Sequence, residues 1–424
     1  MPSRFLARRP AASADSQEPS ARNAQEAAVA RVAETLGDQF AWFLSPVRLQ
    51  ARAEDLRLIE RVGKIDVGIV TVAMVLASLM RSSDAEGRIL DAFAIYRQIG
   101  GAPATKEGFR RAVHRIADLL LDLVKARIAD ASRSAAPLRG RLASFTDLLI
   151  PDGSVFKLAA ALAEGLPGTG SAAALKLHAV YSVRAAGPAA VDFTDGREHD
   201  TTHFTPAWVR GALYLWDLGY NDYARVLDAQ AAGSHVLQRL KDGADPKVLA
   251  WYSPDGARHA LALPPNRRVV RLGEACEFYD ELRSQETLDL DVELRDASGR
   301  TGVMRVVCVP FEGRDRYYLT TLPRTHFTPH DVAELYGVRW EVELYLKDLQ
   351  GGARADEVTR LRNLDSLRAV VYASLLAQML SGEVTRAANE AGEEDTAPTR
   401  MAGDPPSQSA SLPPLGKTEA AFSP

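Results

Sequence analysis

The first part of the chain repeats apolar residues at the spacing expected for helices. Over residues 26–145 the apolar positions recur with a helical period almost throughout, and strand signals are few. Within this region LDAFAIYRQIGGAPATKEGFRRAVHRIADLL reads as a helix, a Gly-Gly-Ala-Pro turn and a second helix with Thr105 as its N-cap. We therefore predict a helical domain over residues 26–145.

From residue 146 the apolar spacing changes to that of strands. TDLLIPDGSVFKL, LKLHAVYSV and AAVDFTDGR predict three consecutive strands, and GALYLWDLGY and SHVLQRLK predict two more. Together they predict a mixed α/β sheet over residues 146–249. Residues 250–325 are strand-like almost throughout, with strict alternation in LDLDVELRD. We interpret this block as a β-rich insertion subdomain, after which residues 326–383 complete the sheet domain.

The segment ELYGVRWEVELYLKDLQ predicts one helix with a polar stripe along one side. At ~100° per residue, Tyr336, Glu343, Lys347 and Gln350 fall within about 60° of one another, and Arg339 lies about 20° beyond them. The remaining positions are largely apolar, as in a helix that packs against a core. Alone, this pattern also fits an ordinary amphipathic helix with a solvated charged face. The apolar segment LDSLRAVVYASLLAQML then predicts a closing helix.

Both ends of the chain are poor in apolar residues. Residues 1–25 contain no apolar signal core, and residues 384–424 are rich in Pro, Ser, Gly and Ala. We predict that both are disordered. The abrupt change near residue 384 indicates a truncated or frame-altered end.

The composition indicates a globular protein, and the cysteine count excludes one class of metal site. With 46% hydrophobic and 25% charged residues, the 424-residue chain is typical of globular proteins. A net charge of −4 neither favours nor excludes nucleic acid, because a basic face can sit on an acidic whole. Cys276 and Cys308 are the only cysteines and form no CxxC pair, which excludes a cysteine-rich zinc site and fits a reducing cytosol. The longest apolar run, residues 65–80, is interrupted by Asp66 and is shorter than the ~20 residues that cross a bilayer. We expect no membrane partner and a cytoplasmic, nucleoid-associated protein.

Two acidic residues stand where apolar strands are predicted to end. Asp152 follows Leu-Leu-Ile-Pro, and Asp217 follows Leu-Tyr-Leu-Trp. Such carboxylates cost desolvation energy unless a positive charge meets them. On neighbouring strands, and joined by Glu343 from a packed helix, they could chelate two divalent ions ~3.5–4 Å apart, an arrangement that serves phosphodiester chemistry. Alone, Asp152-Gly153 also fits a turn, and Asp217 also fits a cap at a strand–loop junction.

With these segments in place, the chain resembles bacterial insertion-sequence transposases of the DDE class. The resemblance is to the insertion-sequence-four type, which carries a β-strand insertion between the second aspartate and the glutamate. IPDGSVFKL resembles the first-aspartate block, LYLWDLGY the second, and LYGVRWEVELYLKDLQ the Tyr-Arg-Glu-Lys signature of the form Y-x2-R-x3-E-x6-K. The gap between Asp217 and Glu343 is long enough to house the insertion.

The resemblance implies an α/β fold with an RNase H-like mixed-sheet catalytic core, interrupted by the β-rich insertion and preceded by a helical DNA-binding domain. It implies that Asp152, Asp217 and Glu343 are the catalytic metal ligands. They would hold two Mg²⁺ ions, for which Mn²⁺ can substitute. Tyr336 and Arg339 would hold the DNA backbone beside the scissile phosphate.

The chain departs from the signature at one position. Gln350 stands where the signature has lysine, and Lys347, one turn earlier on the same stripe, is a substitute for its positive charge. The related transposases often release their element through a DNA hairpin, with a flipped base stacked on an aromatic residue of the insertion. By location alone the candidates for such stacking are Trp251, Tyr317 and Tyr318, and each is also a candidate core residue.

A second group of basic residues lies on the helix that follows the Gly-Gly-Ala-Pro turn. Lys106, Arg110, Arg111 and Arg115 crowd this helix. A positive helix after a tight turn is what a major-groove reader needs, and a solvated helix in a bundle has the same pattern. Both interpretations stay open, and we carry the four residues as candidate DNA contacts.

These observations predict a transposase that binds the terminal inverted repeats of an insertion sequence and performs metal-dependent strand cleavage and transfer. Its partners would be double-stranded DNA, both element ends and target, and a second copy of the chain in a homodimeric synaptic complex. Two alternatives remain. One is a transposition-defective DNA-binding regulator, which Gln350 and the unusual C-terminus favour. The other is a two-metal nuclease on the same fold.

Overall fold

The computed structural model describes residues 37–59, 64–80, 85–199, 208–241, 243–263, 268–353 and 361–396. For residues 278, 283, 348, 350–353 and 388–396 it describes the backbone alone. The predicted tail at residues 1–25 and the last part of the predicted tail, residues 397–424, lie outside the described residues.

The described N-terminal region is helical, as predicted from its apolar period. Its helices are α1 (Pro46–Asp55), α2 (Val67–Leu79), α3 (Ala85–Gln98), α4 (Lys106–Arg115) and α5 (Ala117–Ser134). The predicted N-cap of α4 is confirmed, because the Thr105 side chain accepts a hydrogen bond from the Gly108 backbone N–H. The apolar run at residues 65–80 forms the buried helix α2, capped by Asp66. None of the described helices combines the length and apolar content needed to cross a membrane.

The predicted strands of the first sheet region are confirmed. They are β1 (Leu148–Leu158), β2 (Ala173–Ser182), β3 (Gly187–Asp195), β4 (Leu213–Trp216) and β5 (His235–Arg239). Their order in the sheet is β3-β2-β1-β4-β5, with β1–β2 and β2–β3 antiparallel and β1–β4 and β4–β5 parallel. This mixed order is compatible with an RNase H-like core. The helix α6 (Tyr223–Ala231) connects β4 to β5.

The strands of the predicted insertion extend the same sheet. They are β6 (Lys247–Tyr252), β7 (Arg258–His259), β8 (Val270–Arg271), β9 (Leu288–Arg295), β10 (Thr301–Phe311) and β11 (Arg314–Thr320). β11 pairs antiparallel with β5, so the sheet continues as β5-β11-β10-β9-β6-β7 through the described residues. Side chains of these strands share a hydrophobic cluster with Leu149, Trp216 and Val226. The block therefore packs as a continuation of the core sheet.

The expectation of nearly continuous strand over residues 250–325 is wrong at its centre. Two short helices, α7 (Leu272–Phe278) and α8 (Asp280–Arg283), lie between β8 and β9. Leu272 and Ala275 are buried on one side of α7, and Leu282 is buried in α8. These helices are too short for a clear period to show in the sequence.

The segment predicted as one helix over residues 334–350 forms two helices. These are α9 (Pro329–Gly337) and α10 (Trp340–Ala353). The backbone N–H groups of Val338 and Arg339 bond three residues back, to the carbonyls of Leu335 and Tyr336, at 3.2 and 3.1 Å. Such bonds tighten the turn, and Gly337 offers little helix propensity to resist the change. Arg339 therefore stands at a junction instead of on a continuous stripe.

The closing helix is longer than predicted. It is α11 (Leu364–Thr396), and it passes residue 384, where the disordered tail was expected to start. The sequence VTRAANEAGEEDT at residues 384–396 is rich in Ala and Glu, which favour helix without a buried face. The predicted boundary at residue 384 is therefore wrong in the described part of the tail.

One hydrophobic core joins the N-terminal helices to the sheet. It contains Val70 of α2 and Leu120 of α5 together with Ile150 of β1 and Leu177 of β2. α11 lies at its centre and contacts α2, α4, α5 and α10. The predicted boundary at residue 145 thus divides helices from strands without dividing one core from another.

Candidate active site

Two parallel strands in the middle of the sheet bring Asp152 and Asp217 side by side. β1 and β4 pair with Leu148 opposite Leu213, and each aspartate lies the same number of residues beyond its leucine. If this register continues, the two residues are neighbours across a strand spacing of ~4.8 Å. Each aspartate lies an even number of residues after its leucine, so its side chain is on the same face of the strand. Both leucines belong to the helix-covered core. Asp152 and Asp217 therefore share one face of the sheet.

The two aspartates differ in their local structure. Asp217 directly follows β4, as predicted. Asp152 lies inside β1, opposite Ala179 of β2, because β1 continues to Leu158. The expectation of a strand end at Asp152, and the alternative of an Asp-Gly turn, are therefore both wrong. The Asp152 carboxylate accepts a hydrogen bond from the Gly153 backbone N–H at 2.8 Å.

α10 places Glu343 over the same face of the sheet. Val342, Leu346 and Leu349 are buried in the shared core and hold the helix against it. Glu343 is 23% exposed and forms an ion pair with Arg339, which is 17% exposed. The Lys347 ammonium is 3.9 Å from the second Glu343 oxygen and is more exposed. In this structure Glu343 is therefore held by cations of its own helix region.

Electrostatic interactions show that these groups form one cluster. Burial raises the pKa of Asp152 to about 6, the Gly153 N–H and the Arg339 charge oppose that rise, and Asp217 and Glu343 add to it. Burial lowers the pKa of Arg339, but Tyr336, Glu343 and Asp217 outweigh burial, so the pKa is raised. Burial is also the main reason that the pKa of Tyr336 rises to about 12. Three carboxylates thus converge around one guanidinium.

The donor set suits a hard divalent cation, although the carboxylates are not closed around one position. Among the described residues there is no group of three His, Cys, Asp or Glu side chains arranged to hold a metal ion. In the structure one Glu343 oxygen is paired with Arg339. Carboxylate oxygens are the ligands that Mg²⁺ and Mn²⁺ prefer, and mutual repulsion, which helps to raise the Asp152 pKa, is relieved by a bound cation. The residue types present therefore fit such an ion.

The other residues that were predicted to contact DNA are Gln350 and the four basic residues of α4. The Gln350 side chain is outside the described part of the structure. Lys106, Arg110, Arg111 and Arg115 lie on α4, which packs against α2, α3 and α11. Arg110 forms an ion pair with Glu86 of α3 at 2.5 Å, and Arg111 is 3.9 Å from Glu107. Lys106, Arg111 and Arg115 are exposed.

The aromatic candidates for stacking a base are all engaged with protein neighbours. The Trp251 ring stacks on His259 with centroids 4.3 Å apart. The Tyr317 hydroxyl lies 3.5 Å from the Cys276 sulfur. Tyr318 is buried, and its ring centroid is 5.2 Å from that of Tyr336. Tyr318 therefore contributes to the wall of the carboxylate cluster by supporting Tyr336.

Sequence reasoning missed Arg239, which also lies on this face. It is the last residue of β5, and the pairing of Leu215 with Leu237 places it beside Asp217 if the register continues. Its charge acts on Tyr336. No clear signal in the sequence marks it, because Arg239 lies inside the predicted strand SHVLQRLK and only the structure ends β5 there.

A comparison with protein-family models assigns the chain to a family. The family model described as a transposase DDE domain matches residues 143–380, more than half of the chain, and includes all three carboxylates. A comparison with solved structures returns a cryo-EM structure of the piggyBac transposase synaptic complex with hairpin DNA. That match has 11% identity, covers 84% of this chain and 80% of that chain, and has a TM-score of 0.35, too low to bear on function. Comparison with curated proteins gave no match. On the family match, this chain belongs to the DDE-domain transposases.

Proposed function

We propose that this chain is the transposase of an insertion sequence of the insertion-sequence-four type. It binds the terminal inverted repeats of its element, brings two ends together as a homodimer, cuts the DNA and joins the ends to target DNA. The observation that carries this proposal is the convergence of Asp152, Asp217 and Glu343 on one sheet face around Arg339.

The carboxylates would hold the divalent ions that members of this family generally use. Asp152 and Asp217 present their oxygens from two adjacent strands of a fixed sheet, and Glu343 is supplied by a helix anchored in the core. When bound, two such ions activate the attacking oxygen and stabilise the leaving oxygen of a phosphodiester. The rigid support of all three residues keeps their oxygens in position for that chemistry.

Arg339 has two roles that follow one another. In the structure described here its guanidinium neutralises Glu343, while its buried Nε has no hydrogen-bond partner among the described residues. A DNA phosphate offers oxygens that match the guanidinium and can satisfy that Nε. As Arg339 moves to the phosphate, Glu343 becomes free to bind metal. Tyr336 and Lys347 flank this step, the first by hydrogen bonding and the second by charge.

The exposed cations of α4 would contact DNA away from the cleavage site. Lys106, Arg111 and Arg115 are exposed on a helix that follows a tight turn, whereas Arg110 is held by Glu86. We propose that the first three contact the inverted repeat. Arg110 fixes α4 against α3 instead.

Excision and insertion by the purified protein test this proposal. A plasmid would carry a marker between the inverted repeats that flank this gene, and the reaction would contain Mg²⁺ and target DNA. The proposal expects an excised fragment with ends at the repeats and insertions flanked by short direct duplications. Specific binding of the repeats without cleavage would instead establish a regulator. Cleavage unrelated to the repeats would establish a nuclease.

A further inference from the structure

Arg239 extends the row of functional side chains across the sheet by one strand. β1, β4, β5 and β11 are neighbours in that order. On the helix-covered face, Asp152 lies on β1, Asp217 follows β4, Arg239 ends β5, and Tyr318 of β11 is directly opposite Arg239. Arg239 therefore lies on the side of Asp217 opposite to Asp152.

Arg239 differs from the other cations around this face because no anion holds it. Arg339 is paired with Glu343, and Arg305 and Arg324 are paired with Asp289. For Arg239, no carboxylate lies within ion-pair distance and no hydrogen bond is formed among the described residues, although its side chain is half-buried. A half-buried guanidinium without an anion costs desolvation energy, so the position favours an incoming negative charge.

We propose that Arg239 binds a backbone phosphate of the DNA on the side of Asp217 opposite to Asp152. The inference rests on the proposed function, because it assumes that DNA enters this face. Lys347 comes from α10 above the sheet and Arg339 from the junction just before it, whereas Arg239 comes from the sheet itself. The DNA backbone would therefore be held from two sides of the carboxylates, which fixes the direction in which the strand crosses them.

The neighbouring groups favour a phosphate over a simple counter-ion role for Arg239. Asp217 is its nearest predicted neighbour, yet the two do not form an ion pair within 4 Å in the structure. Tyr318 and Tyr336 lie on its other side with rings 5.2 Å apart, and neither carries a charge that could neutralise it. A free guanidinium beside the proposed metal-binding carboxylates can bind the negatively charged oxygens of a phosphodiester next to the one that is cut.

The test measures DNA binding in buffer without divalent metal, so that cleavage and metal binding play no part. The probe is a duplex that carries the inverted repeat flanking this gene. Arg239→Ala loses one charged contact, so its affinity for this duplex should be about tenfold lower than that of the wild type. It should also reduce the slope of log affinity against log salt by about 0.9. Arg239→Lys keeps the charge and should keep the slope. Arg225→Ala is the matched control, since Arg225 lies on α6 with Asp222 as its partner, on the other side of the sheet.

Neutral methylphosphonate linkages identify the phosphate. Placed one at a time around the cleavage position, one linkage should weaken binding by the wild type and leave Arg239→Ala unaffected. The linkage to which Arg339→Gln is insensitive should be a different one. If Arg239→Ala has the same affinity, salt slope and linkage sensitivity as the wild type, the inference is overturned and the proposed function is left intact. Failure of the wild type to prefer the repeat over unrelated duplex would overturn both.

Discussion

At the scale of single residues, the proposed function depends most on Arg339. In the structure its guanidinium is paired with Glu343. The same guanidinium lowers the electrostatic repulsion among the carboxylates. On the proposed function, Arg339 and a bound metal ion would therefore compete for Glu343.

That competition predicts that Arg339→Gln binds metal more tightly than the wild type. Removal of the cation frees Glu343 and removes a repulsive charge, so affinity for Mn²⁺ should rise about three- to tenfold. Isothermal titration calorimetry measures it without DNA. Lys347→Ala is the control, because its ammonium is 3.9 Å from Glu343 and more exposed, and it should change the affinity less. Weaker metal binding by Arg339→Gln would contradict the competition.

The raised pKa of Asp152 predicts a pH-dependent stability. The folded state disfavours ionisation of the Asp152 carboxyl, with a pKa of about 6 against 3.8 for an ordinary aspartate. Below 3.8 both states are protonated and nothing is lost, and above about 6 the full penalty applies. Stability of the metal-free protein should therefore fall as pH rises through this window, by about 2 kcal/mol after allowance for partial exposure.

Urea denaturation of the wild type and Asp152→Asn on both sides of that window measures this effect. The variant lacks the titrating group, so its advantage over the wild type should grow with pH. Mg²⁺ should reduce the difference, because it binds the ionised carboxylate. A constant difference across the window would mean that Asp152 does not titrate with a raised pKa.

At the scale of elements, the junction between α9 and α10 and the helix α4 have the largest functional consequences. At the junction Arg339 directly precedes α10, and it pairs with Glu343 four residues later. α4 presents three exposed cations while its apolar side is buried through Phe109 and Val113. It is thus a rigid helix with a basic outer side.

The basic side of α4 predicts a specific change in DNA binding. Substitution of Lys106, Arg111 and Arg115 by alanine should lower the slope of log affinity against log salt by about two to three. Arg110→Ala is the matched control, since its guanidinium is paired with Glu86, and it should keep the slope. Filter binding or fluorescence anisotropy with the inverted-repeat duplex measures both. An unchanged slope in the triple variant would show that α4 is a solvated helix of the bundle.

At the scale of the whole molecule, α11 makes the N-terminal helices and the catalytic sheet one folding unit. Leu376→Ala should destabilise the protein by about 2–5 kcal/mol, because the removed side chain is fully buried in the shared core. Hydrogen exchange should show α2 and β1 losing protection together. Val384→Ala, on the exposed part of the same helix, should have little effect. Loss of protection in the helices alone would show two independent domains.

Local patterns predicted the strands and the carboxylates, and long-range contacts account for the differences. β1 to β5 were predictable because each is an apolar or alternating run bounded by polar residues, and Asp217 stood out at the end of one. The break between α9 and α10 was not, because it depends on the tightened turn after Gly337. The shared core could not be predicted from the sequence either, since no local pattern shows that α11 contacts both the N-terminal helices and the sheet. Arg239 required the pairing of β4 with β5, which places it beside Asp217.

On the proposed function, Asp152, Asp217 and Glu343 form one metal-dependent site that cuts DNA. The direct test is nicking of an end-labelled duplex that carries the inverted repeat and its flank, by the wild type, Asp217→Asn and the control Asp228→Asn on the surface of α6. We expect a nick at the element boundary that requires Mg²⁺ or Mn²⁺, persists in Asp228→Asn and falls to background in Asp217→Asn. Cleavage at the boundary that survives in Asp217→Asn, or that proceeds with all divalent metal chelated, would contradict the account.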